Sequence, residues 1–164
     1  MKKNVILSSI LMLFAAIVFS GCSNNEPDSM QPSPRDGVYE GENLKVSING
    51  EPLTTITSVK IISKKIPYAG DIAVDVNGEN GGKSSSVYDT QIIFNGFPQV
   101  EEEITLIAVS SLYNFNGVFS IKYEDDSTEY YEFIGTFTGE PDSPHSEQGL
   151  ILKFNKIDNP LLEP

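Results

Sequence analysis

Apolar and polar residues alternate with a period of two along most of the chain. Leu44, Val46 and Ile48 fall on one side of an extended segment, with Lys45, Ser47 and Asn49 on the other. The same alternation recurs at Ile72, Val74 and Val76, and again at Tyr88, Thr90, Ile92 and Phe94. Ile56 to Ile62 is β-branched, and Ile104 to Val109 is a nearly unbroken apolar run that predicts a strand buried on both faces. Phe115, Phe119, Ile121 and Tyr123 share one parity; so do Tyr131, Phe133 and Phe137; Leu150, Leu152 and Phe154 close the series. Asn-Gly pairs at 49–50, 77–78 and 95–96 punctuate these runs as turns, with Pro52 making the first less regular. No segment carries a 3.6-residue apolar period over ten residues. The prediction is an all-β body, an antiparallel meander of about eight strands forming a barrel or barrel-like sandwich. Its best-defined hairpin joins Phe115–Glu124 to Glu129–Thr138 across Asp125-Asp126-Ser127-Thr128.

The first 21 residues follow a different rule. Lys2 and Lys3 precede an apolar stretch from Val5 to Phe19, then small Ser20 and Gly21, then Cys22. About 15 apolar residues are short for a membrane span, which needs roughly 20. The order is that of a secretory signal. Val18-Phe19-Ser20-Gly21-Cys22 resembles the lipobox of bacterial lipoproteins, with Phe19 where the family usually has Leu. The resemblance implies a signal peptide over 1–21 and lipidation of Cys22, the only cysteine in the chain. It implies attachment to a membrane through acyl chains without a span. Residues 22–35 (from Ser23, SNNEPDSMQPSPR) are polar and Pro-rich and read as a disordered tether reaching at most about 40 Å. The body is expected over 36–158, with a tail over 159–164.

Gly37-Val38-Tyr39-Glu40-Gly41, leading into Leu44–Ile48 and Asn49-Gly50, resembles the opening of calycin-like and lipocalin-like β-barrel lipoproteins of Bacteroidetes. Tyr131-Glu132-Phe133-Ile134-Gly135-Thr136-Phe137 resembles a late barrel strand of that group. The resemblance implies a barrel with an internal ligand cavity and brings no catalytic motif. The lipocalin G-x-W signature has no counterpart, because the chain has no Trp. Lipoprotein character places the protein in the cell envelope, at the outer membrane. Glu26 and Asp28 do not form the contiguous acidic stretch that would decide between the cell surface and the periplasmic face.

Charge narrows the partners. Twenty-three acidic residues face 11 basic ones, a net charge of −12. Loss of Lys2 and Lys3 with the signal makes the remaining 143 residues more acidic still, which argues against nucleic acid. One cysteine and one histidine leave no thiolate or His-pair metal site and imply no cofactor.

Possible chemistry is thin. His145 lies in a Pro-rich stretch, Glu140 to Glu147, and reads as a solvated loop. Asp125, Asp126 and Glu129 lack calcium-loop spacing and read as turn residues. Glu101-Glu102-Glu103 reads as a charged guard before an apolar strand, not as a glycosidase pair. Gly81-Gly82-Lys83-Ser84 misses phosphate-loop spacing and has no helix behind it. Seven tyrosines and nine phenylalanines are mostly of inward parity; Tyr39, Tyr68, Tyr113 and Tyr130 are the least constrained and so the candidate ligand contacts. The expected function is non-catalytic: a lipid-anchored envelope module binding a small apolar ligand, a glycan or a partner protein. The alternatives are a structural or assembly component acting through protein contacts and, less well supported, a carboxylate-based hydrolase.

Overall fold

The computed structural model describes residues 31–66 and 86–161. The signal segment, Cys22, the strand expected over Ile72–Val76, the Gly81-Gly82-Lys83-Ser84 loop and Tyr68 lie outside the described residues. Nine strands form one sheet: β1 Gly37–Glu40, β2 Leu44–Ile48, β3 Glu51–Pro52, β4 Ser58–Lys65, β5 Tyr88–Phe94, β6 Ile104–Ser110, β7 Asn114–Lys122, β8 Thr128–Thr138 and β9 Gly149–Ile157. Their spatial order is β1-β4-β5-β6-β7-β8-β9-β2-β3.

The sheet is not the antiparallel meander expected, although β4 to β9 are antiparallel neighbours in chain order. The sheet as a whole is mixed, because β2 runs parallel to β9, pairing Leu44 with Leu150 through Ile48 with Phe154. The cause is the link between β1 and β2. Only a 3-10 turn, Gly41–Asn43, separates them, yet β1 pairs with β4 at one end of the strand order and β2 with β9 near the other. So short a link draws the two ends of the sheet together, and the sheet curls into an open, barrel-like wall. Gly41 at φ +57° makes the bend without strain.

The alternation in the sequence sets the burial. On β8, Tyr131, Phe133, Gly135 and Phe137 face inward while Ile134, Thr136 and Thr138 are exposed. Val59, Ile61, Ile92, Phe94, Leu150, Leu152 and Phe154 are buried from the facing strands. Rings fill the interior. Phe97 meets Phe119, Tyr131 and Phe154 edge-on at centroid distances of 5.6, 5.1 and 5.2 Å.

The β6–β7 ladder holds at one pair, Ser110 with Phe115. Beyond it the strands separate, and the β5–β6 loop, carrying buried Phe97 and Val100, packs into the core. β6 is therefore not the doubly buried strand its apolar run predicts. Ile104, Leu106 and Ala108 face the core, but Ile107 and Val109 are 69% and 64% exposed, because no described element covers the outer face.

The body also begins earlier than composition indicates. Gln31–Arg35, assigned to the tether, packs alongside β4. Lys65 N–H donates to Gln31 O at 3.1 Å, Ser33 N–H to Ser63 O at 2.8 Å, and Pro32 bridges Lys64. Arg35 is 1% exposed. Its guanidinium donates to Leu112 O, Thr138 O and Gly139 O at 2.9, 3.3 and 3.1 Å and lies 5.4 Å from the Phe137 ring centroid. No carboxylate neutralises it in an ion pair among the described residues; three carbonyl dipoles and an aromatic face offset its desolvation. That desolvation pulls its pKa below the ordinary arginine value.

Candidate binding cleft

The seam that curls the sheet also leaves an opening. β2 has β9 on one side and only two-residue β3 on the other. The Asn49-Gly50 turn makes this hairpin with φ of +50° and +83°, the two positive angles a tight two-residue turn needs. Asn49 Oδ1 accepts from Lys156 N–H at 2.8 Å and so fixes the turn to β9. β1 has meanwhile gone to β4. The wall between β2 and β4 is crossed only by the chain from Leu53 to Thr57, which leaves a cleft of about 580 Å³.

Leu44, Val46, Leu53, Ile56 and Ile151 give the cleft an aliphatic lining, and Lys45, Ser47, Thr54 and Thr57 are its polar groups. None of its lining residues is acidic, although the chain has more than two acids for every base. Its one charge is the Lys45 ammonium. The crossing segment is pinned from behind: Thr55 Oγ1 donates to Gly96 O at 2.6 Å. A Cβ on Gly96 would fall 2.1 Å from Thr55 O, and Gly96 has φ +90°, so only glycine fits there.

The cleft runs along β2 and adjoins β4 only where that strand begins. Its Thr57 immediately precedes Ser58, the first residue of β4, whereas Gln31 and Pro32 join the body at Lys64 and Lys65, the last residues. Seven strand steps separate the two points, roughly 23 Å.

The tyrosines singled out in the sequence do not converge on this cleft. Tyr39 is wholly buried, and its hydroxyl donates to Arg35 O at 2.8 Å. Burial pushes its pKa up to about 12. Tyr113 is 59% exposed in the β6–β7 turn. Tyr130 is half-buried on the outward parity of β8. The cleft residues escape a motif search because they are ordinary aliphatics; only the strand order brings Leu44, Leu53 and Ile151 together.

His145 is not solvated as its sequence context suggests. It opens a 3-10 turn, His145–Glu147, half-buried against the Tyr39 ring at 4.7 Å. Its Nε2 occupies the space a Gly37 side chain would fill, and Gly37 has φ +147°. The aspartates behave as turn residues: Asp125 Oδ1 accepts from Ser127 N–H at 3.0 Å, and Asp126 pairs with Lys122 at 3.1 Å.

A second polar cluster sits near this β7–β8 turn. Tyr123 Oη and Tyr131 Oη both donate to Glu129 Oε2, at 3.0 and 2.6 Å, while Lys156 Nζ donates to Oε1. Hydrogen bonds from Lys156, Tyr131 and Tyr123 hold the Glu129 carboxyl below the ordinary carboxylate range. Desolvation first, and the bond to Glu129 second, raises both tyrosines, Tyr123 to about 12. Both carboxylate oxygens accept from side chains of this cluster, which ties β7, β8 and β9 together. Comparison with family models, with curated proteins and with solved structures returned no match for this chain.

Proposed function

We propose that the protein is a non-catalytic binding module held at the cell envelope by a lipid on Cys22, and that its ligand is a small amphipathic molecule with an apolar body and an anionic head. The observation that carries this reading is the seam cleft: about 580 Å³, aliphatic, free of lining carboxylates and bearing one lysine. A pocket of this size and character suits a small apolar ligand with one oriented polar group. Lys45 supplies the counter-charge. The lining has no aromatic ring, and flat aromatic faces are what sugar rings stack on, so a glycan fits less well. Core rings occupy the interior expected to form a barrel cavity, which moves the ligand to the seam.

The position of the cleft favours the same account. A chain anchored at Cys22 joins the body at Lys64–Lys65, the end of β4 opposite the cleft, so the anchor leaves the cleft uncovered.

Calorimetric titration of the protein with decanoate tests the proposal. Saturable binding is expected, weakened about tenfold in Lys45→Glu and abolished in Leu53→Asp. Unchanged affinity in Leu53→Asp, with its fold verified by circular dichroism, would contradict the assignment.

A further inference from the structure

We propose that the outer face of β4–β6 rests against anionic lipid headgroups, so that the anchor sets the orientation of the body as well as its location. The proposal builds on lipidation of Cys22.

Beyond the Glu40–Ser58 pair, three aligned rows make up this face. Val38, Lys60, Ile93 and Thr105 form one; Ile62, Gln91 and Ile107 the next; Pro32, Lys64, Asp89 and Val109 the third. Ile107 and Val109 are the most exposed aliphatic side chains within the sheet, at 69% and 64%, and Val38 adds a third at 48%. Adjacent exposed aliphatics on one sheet face carry a desolvation gain that a monomer in water leaves unused. With Glu40 the face holds two lysines and two acids, no net charge in a chain that elsewhere is strongly acidic. An anionic surface is therefore repelled by the rest of the body and opposed least at this face, where Lys60 and Lys64 can reach it.

The path of the chain points the same way. Pro32 bridges Lys64 inside the third row, and Cys22 lies nine residues before Gln31, a span of at most about 30 Å. Val109 runs on into the β6–β7 turn, where exposed Tyr113 suits the headgroup layer, which favours amphipathic rings. Lysine ammonium groups reach the phosphates while their stems cover the aliphatics. This contact leaves the cleft, at the far end of β4, open to its ligand.

The experiment uses the full chain processed in a lipoprotein-producing host, so that Cys22 is acylated and a second cysteine is the only reactive thiol. A fluorophore is attached at Ile107→Cys or, on the far wall, at exposed Val118→Cys. Each labelled protein is reconstituted on vesicles of phosphatidylethanolamine and phosphatidylglycerol containing a headgroup nitroxide quencher. The expected result is quenching at least about twofold stronger at position 107, reduced by Lys60→Glu with Lys64→Glu and by omitting phosphatidylglycerol. Equal quenching at the two positions, with the protein sedimenting with the vesicles, overturns the orientation alone. Failure to sediment overturns the anchor and the orientation together. A label at 107 shielded without vesicles, in a particle of twice the monomer mass, assigns the face to a second copy and overturns the lipid contact.

Discussion

Phe115 lies across the backbone of its cross-strand partner Gly135: a Cβ built on Gly135 would fall 2.0 Å from Phe115 Cζ. The same arrangement occurs two residue pairs along the ladder, where Phe133 covers its partner Gly117 and a Cβ would fall 2.5 Å from its ring. The two rings are buried side by side, with centroids 6.3 Å apart. Each glycine makes room for a ring that would otherwise collide with its neighbour, and each ring shields a backbone that glycine leaves bare.

Gly135→Ala should therefore destabilise the body by about 2–3 kcal/mol through overpacking, despite alanine's better intrinsic fit to a strand. Phe115→Leu in the same chain should recover part of the loss. Urea denaturation of the two single variants and the double variant measures the coupling; additive losses would show that ring and glycine do not compete for space.

Arg35 should be among the most sensitive positions outside the aromatic core. Arg35→Met keeps most of the apolar stem but leaves the carbonyls of Leu112, Thr138 and Gly139 without their donor. A cost of about 2–3 kcal/mol is expected. Arg35→Lys should recover little, because one ammonium cannot span carbonyls on two separate segments. Thermal and urea melts of both variants check this.

Glu129 and the buried tyrosines give stability a dependence on pH at both limits. The Glu129 carboxyl is held low in the folded state, so its contribution is complete above the unfolded carboxylate value of about 4.3 and fades as pH falls through the folded value. The tyrosines act in the opposite sense. Tyr39 and Tyr123 ionise near 12 when folded, against about 10 when unfolded, so stability holds below pH 10 and declines between the two values. Urea melts across the pH range should show both limbs, with the acid limb shallower in Glu129→Gln. An acid limb of unchanged slope in that variant would remove Glu129 from the account.

Gly96 couples the loop behind the cleft to its front wall. Gly96→Ala forces a Cβ against Thr55 O at an unfavourable φ and should cost about 2–4 kcal/mol. It should also weaken decanoate binding, because Thr54, Ile56 and Thr57 line the cleft on the segment that Gly96 positions. Retained affinity in this variant would show that the crossing segment does not shape the site.

Much of the body is legible in the order of residues. The alternation on β8, the Asn49-Gly50 turn and the β7–β8 hairpin follow from local rules of parity and turn chemistry, which need no tertiary information. Other features depend on contacts distant in the chain. The carbonyls that hold Arg35 lie 77 to 104 residues away, so a Pro-Ser-Pro-Arg stretch resembles a tether until those partners are in place. β6 looks doubly buried because its sequence carries no charge; its exposed outer face is a property of the sheet order. The parallel pairing of β2 with β9 has no local signature, and it creates the cleft. His145 depends on the absence of a side chain at Gly37, more than 100 residues earlier, which residue spacing does not reveal.

The central claim is that an amphipathic ligand enters the seam between β2 and β4. Methyl-resolved NMR of the protein titrated with decanoate tests it most directly. The account predicts saturable shifts confined to the methyl groups of Leu44, Val46, Leu53, Ile56 and Ile151. Saturable shifts confined to Ile107 and Val109, or none at all, would contradict it.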